Sequence, residues 1–139
     1  MKMRSAVLIA FLLAPPLAIA VRAGSQVAAP QVPDKMVKAK VDAARKTFEA
    51  IWQNNKEGLV PFVEIVYRWS RRWLEAELEL STKKADQVAA YQAHADRMRE
   101  LARVTRGRFR NRVNTIEEAT AVDFYTAESA VWIEQARNK

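Results

Sequence analysis

The chain has no cysteine. That excludes disulfides, a thiolate metal site, a cysteine nucleophile and a lipid-modified N-terminal cysteine. Glycine is scarce: 3 residues in 139, with Gly107 the only one after Gly58. None of the 5 prolines lies beyond Pro61. The sequence therefore contains no phosphate loop and no dinucleotide fingerprint. With one histidine, His94, it contains no zinc motif either. Beyond the N-terminus no run is apolar enough to span a bilayer, which takes about 20 residues. No strand-like alternation stands out.

What is present begins with "MKMRSAVLIAFLLAPPLAIAVRAG". Lys2 and Arg4 precede an apolar run from Ala6 to Ala14, and Ala18-Ile19-Ala20 offers small residues for cleavage after Ala20, or after Ala23. This is the layout of a secretory signal peptide. The competing reading, a membrane anchor, has too short an apolar run and is broken by Pro15-Pro16. We expect a signal peptide at 1–20, a disordered lead-in at 21–33 and a single helical domain at 34–139. The mature protein is then exported, periplasmic or secreted. Removing Lys2 and Arg4 lowers the net charge from +7 to +5. An exported basic protein meets anionic lipid, cell-wall polymer or acidic proteins rather than nucleic acid.

Ala, Glu, Arg and Leu dominate the remainder, so the expected fold class is all-α. The spacing predicts three helices, at about 34–56, 61–110 and 115–137. The first starts behind Asp34 as a cap and carries Val37, Val41, Ala44, Phe48 and Ile51 in heptad steps. Gly58 stops it. Pro61 suits the first position of the next. Its seam reads Phe62, Val66, Trp69, Trp73, Ala76 and Leu80, then Val88, Tyr91, Ala95, Met98, Ala102, Thr105 and Phe109. The phase slips once between the two runs, a stutter that leaves one long helix of about 75 Å, or a bend or short interruption at Ser81-Thr82. Thr115 and Glu118 form a capping box for the last helix, whose inner stripe is Ala119, Val122, Ser129, Ile133 and Ala136. Short turns predict antiparallel, coiled-coil-like hairpin packing.

The densest feature is "RMRELARVTRGRFRNRV", residues 97–113, with seven arginines against Glu100. Arg99, Arg103, Arg106 and Arg110 share one side of a helix, and Arg97, Arg108 and Arg112 another. They flank the apolar seam, stems on it and heads in water. Residues 115–137 are net −4 and residues 97–112 net +6. A hairpin that sets these runs side by side pairs most of the arginines internally. The alternative is an anionic partner held by Arg99, Arg103, Arg106 and Arg110.

Other candidates are sparse. His94 has Asp96 and Glu100 nearby but no ligand set, and reads as a helix-surface or seam-edge residue. Ser70 has no evident base. Glu75 and Glu79, one turn apart, are candidates for a cation or a carboxylate pair, or simply a solvated face. Trp69 and Trp73 read as core, or as anchors for a partner helix. We expect no enzyme, cofactor, metal, nucleic acid or small-molecule substrate.

Two stretches, "EGLVPFVEIVYRWSRRWLEAELEL" and "NRVNTIEEATAVDFYTAESAVWIEQAR", each begin with a turn, enter a helix through an acidic residue and end in Trp-apolar-Glu. The pattern resembles the helical repeat of TolC-like outer-membrane efflux proteins. The family's turn glycine is Arg112 here, and no barrel strands accompany the helices. The chain also looks like short exported bacterial helical proteins of unassigned function. The resemblance implies an envelope location and coiled-coil packing. The expected function is an exported, non-enzymatic interaction or scaffold protein with a protein partner or self-association. The alternative is a binder of anionic lipid, polymer or protein.

Overall fold

In a computed structural model of the chain, residues 33–59 and 62–138 are described; they form α-helices and no strand. The expected signal peptide, most of the lead-in and Pro61 lie outside the described residues. There are four helices rather than three: α1 (Asp34–Lys56), α2 (Val63–Leu80), α3 (Lys84–Arg110) and α4 (Ile116–Asn138). All belong to one compact unit, Gln31–Lys139.

The helix expected over 61–110 is broken after Leu80. Ser81 is extended (φ −139°, ψ 131°), and so is Lys83 (φ −71°, ψ 127°). The Ser81 hydroxyl accepts the Lys83 N–H at 3.2 Å and donates to Asp86 at 2.6 Å. The Gln87 amide donates to the Ser81 carbonyl at 3.2 Å. Local bonds of this kind give the backbone an alternative to the helical ladder. The chain then folds back, and Ser70 of α2 meets His94 of α3. The sequence pattern reads as a phase slip; physically it is a reversal.

The other ends are of a different type. Gly58 (φ 80°) and Arg112 (φ 59°) are both left-handed. Leu59 donates to the Asn54 carbonyl and Gly58 to that of Asn55, at 2.9 and 3.0 Å. Val113 likewise donates to Arg108 and Arg112 to Phe109, both at 2.9 Å. These are Schellman caps, which satisfy carbonyls that α1 and α3 leave open. Arg112 holds a conformation that glycine adopts more easily. α4 starts with the capping box: Glu118 N–H to the Thr115 hydroxyl at 3.3 Å and Thr115 N–H to the Glu118 carboxylate at 3.2 Å. Asp34 is the first helical residue of α1 and not its cap; Pro33 holds that position.

α2 is central, packing against α1, α3 and α4, while α3 also packs on α4. The core comprises Phe48, Val63, Val66, Met98, Leu101, Ala102 and Val122. Each large member contributes about 1.5–3 kcal/mol by leaving water. α4 buries the inner stripe expected of it. The expected seam of α2 shifts. Phe62 and Leu80 are exposed, while Val63, Ser70 and Leu74 are buried. A helix with neighbours on two sides buries two stripes, where a single heptad seam buries one.

Candidate functional site and interaction surfaces

The seven arginines of 97–112 have separate fates, and only one pairs across the hairpin. Arg106 bonds Asp123 of α4. Arg99 pairs with Asp96 and Arg103 with Glu100, each a turn back on the same helix. Arg108 reaches α1, donating to the carbonyls of Asn55 and, at 2.8 Å, Lys56. There it closes a helix end where cations are favoured. Among the described residues, Arg110 and Arg112 have no acidic partner. Wholesale pairing between α3 and α4 is thus not what the structure shows. Three other acids of α4 are engaged elsewhere. Glu118 caps its own helix, Glu134 pairs with Arg137, and Glu128 accepts from Tyr67 at 2.6 Å.

Arg99, Arg103, Arg106 and Arg110 do line one groove of about 430 Å³, with Ala102 and Thr126. The carboxylates beside three of them sit on exposed pairs, worth about 0–1 kcal/mol each. Solvent or a competing anion can displace such partners.

Arg97 turns inward instead. Its guanidinium lies 4.0 Å from the centre of the Trp73 ring and 5.5 Å from that of Phe48. Its Nε donates to the Ser70 hydroxyl at 2.8 Å, and that hydroxyl lies 2.9 Å from His94 Nδ1. Ser70 therefore does have a base beside it. His94 is not on the helix surface; it is 0% exposed and stacks on Trp132, ring centres 5.5 Å apart. Burial, then the Arg97 charge, lowers its pKa to about 4. Burial also lowers Arg97 to about 10 and raises Glu77, whose carboxyl is drawn back by Arg97. Among the described residues, His94 Nε2 and Arg97 Nη2 are buried without a hydrogen-bond partner.

A serine hydroxyl on a histidine has the atoms of a nucleophile and base. The surroundings oppose that use. Both residues are 0% exposed, so a substrate has no path to the hydroxyl in this conformation. A histidine with a pKa near 4 is also a weak base at neutral pH. The sequence hides this cluster because Ser70 and His94 lie on separate helices 24 residues apart.

The remaining candidates are satisfied within the chain. Glu75 bonds Arg71 at 2.9 Å and Glu79 bonds Lys40 at 2.6 Å, so the two carboxylates do not converge. No group of three His, Asp or Glu side chains suited to a metal occurs among the described residues. Trp73 packs on Phe48 of α1 with ring centres 5.7 Å apart. Trp69 lies under the Arg72 guanidinium and edges a groove of about 400 Å³ between α1 and α2. Tyr67 stacks on Tyr125 at 4.0 Å and 9°. Burial and the Glu128 carboxylate push its pKa up to about 12.

One surface was not read from the sequence. α4 is apolar on both faces. Opposite its buried stripe, Thr120, Phe124, Ala127 and Val131 recur at helical spacing on the outside, with Phe124 60% and Val131 53% exposed. Ala130, Glu134, Gln135 and Asn138 border Val131 on the same side of α4. The 4–3–4 spacing of the outer stripe stands in the sequence beside that of the inner stripe.

No helix among the described residues is long and apolar enough to cross a membrane. The chain matches no family model, no curated protein and no solved structure.

Proposed function

We propose that this is a non-enzymatic helical interaction protein of the cell envelope, exported by its N-terminal segment, that associates with a second copy through the outer face of α4. The observation that carries the reading is the second apolar stripe of α4, since an exposed contiguous apolar face marks an interaction site. Thr120 and Ala127 are small enough to let another helix approach. Arg106 pairs with Asp123, the neighbour of Phe124 on α4, and Glu117 and Glu134 lie on α4 itself. Coiled-coil-like packing is part of this reading, along with Phe124 near the middle of the shared seam. The enclosed Ser70–His94 pair supports a structural role for that cluster. Neither nucleic acid nor a small-molecule substrate has a place in this reading.

The test is the absolute mass of the protein lacking residues 1–20, by light scattering on a sizing column at low and high salt. The expected result is a dimer that Phe124→Glu converts to a monomer with unchanged helix content. A monomer at all concentrations and salts would sink the reading. It would return attention to the alternative, a dissolved anionic polymer or acidic protein lying along the groove of Arg99, Arg103, Arg106 and Arg110.

A further inference from the structure

The two Schellman caps lie at the same end of the bundle, because Arg108, at the start of one, bonds carbonyls of Asn55 and Lys56 in the other. In such a cap the residue after the left-handed position usually folds its apolar side chain back onto the third residue from the helix end. Here those third residues are Asn54 and Arg108, both polar, and offer no apolar seat. Leu59 and Val113, the residues that would fold back, instead stand out at 69% and 72% exposure. Phe62 and Ile116, which follow them into α2 and α4, are also exposed, as is Phe109. These are five of the nine large hydrophobic side chains exposed among the described residues. They gather on the two turns and on the helix ends beside them, where a chain ordinarily places polar residues.

The charge at this end is equally specific. Arg110 and Arg112 lie between Phe109 and Val113 and have no acidic partner among the described residues. Lys56 precedes Leu59, and its ammonium lies over the Trp52 ring, 5.8 Å from the centre. Apolar side chains projecting from two turns, with free arginines beside them, do not line a groove or form a helical seam. They suit a soft, anionic interface. Apolar tips enter the acyl boundary while cations meet headgroup phosphates.

We propose that this end of the bundle docks on an anionic lipid surface, with Leu59, Phe62, Val113 and Ile116 entering the interface and Arg110 and Arg112 binding the phosphates. The arrangement does not depend on self-association through α4, and of the arginine groove it uses Arg110 alone.

Flotation with vesicles tests it, using the protein lacking residues 1–20 so that their apolar run contributes nothing. The vesicles are phosphatidylcholine with and without phosphatidylglycerol. Binding is expected only to the anionic vesicles. Phe62→Ser with Val113→Ser should weaken it about tenfold by removing apolar burial. Arg110→Gln with Arg112→Asn should weaken it by a similar factor, about tenfold, through lost charge. Neither pair removes a packed side chain, serine suits the cap position that Phe62 occupies, and asparagine tolerates the left-handed turn. The proposal fails if the parent does not float with anionic vesicles, if it floats equally with phosphatidylcholine alone, or if both double variants bind as the parent does.

Discussion

Arg97 and Arg110 stand on the same helix and belong to the same run of arginines, yet the middle of α3 and its C-terminal end treat them in opposite ways. In the middle, the guanidinium is enclosed by Trp73, Phe48 and Ser70, and its charge is felt by His94 and Glu77. At the end, Arg110 faces solvent beside exposed apolar turns. An arginine near the centre of a small bundle is a structural element, because desolvation makes each of its contacts consequential. An arginine at the end is free for a partner and contributes little to the fold. Composition alone counts them as equal charges.

The largest expected effect comes from Arg97. Arg97→Ala should destabilise the protein by about 3 kcal/mol, because it opens a cavity and leaves Glu77 and Ser70 without their cation and donor. Arg97→Met, which keeps the volume over Trp73, should cost less than half as much. Arg110→Ala should stay within about 0.5 kcal/mol of the parent. Urea denaturation of the three variants checks this. Equal losses at 97 and 110 would erase the contrast between centre and end.

His94 gives an effect of nearly the same size, read against pH. Its folded pKa, about 4, lies below the ordinary 6.5, so between these values the unfolded chain binds the proton and the folded chain does not. Stability is complete above pH 6.5 and falls as the pH drops toward 4, by about 3 kcal/mol for this group over the window. Thermal unfolding from pH 7 to pH 4 should show the fall. His94→Gln should flatten it while lowering stability at pH 7. A slope unchanged in that variant would assign the pH dependence to other groups.

The smallest effect sharpens the comparison at the end of α3. Arg112 occupies a left-handed conformation that costs a side-chain-bearing residue about 1 kcal/mol. Arg112→Gly should raise stability by up to about that amount, while Arg108→Ala, which strips carbonyls of α1 of their donor, should lower it by about 1 kcal/mol. Melting temperatures of the two variants should move in opposite directions. If Arg112→Gly destabilises instead, the Arg112 side chain is held by a contact beyond those described.

Much of the secondary structure was legible. Gly58 ends α1, and the Thr115–Glu118 box opens α4 with the buried stripe that its spacing implies. These features act within a few residues of sequence, and local hydrogen bonding suffices to decide them. At Ser81–Lys83 the sequence favours one continuous helix and leaves an interruption open, because a stutter and a break leave the same one-residue phase slip; the structure breaks the helix there. What separates them is the set of bonds that Ser81 makes with Lys83, Asp86 and Gln87.

The sequence by itself therefore determined that this protein is helical, cysteine-free and basic, where several of its helices begin and end, and which face of α4 turns inward. Each of these depends on residues within a turn or two of one another. Only the tertiary structure decided that Ser70, His94 and Arg97 share one enclosed cluster, that Arg108 serves α1, and that two capped turns bring their apolar residues to one end. Those outcomes bring together residues of separate helices, and such neighbours exist only once packing has chosen how the helices fold back on one another.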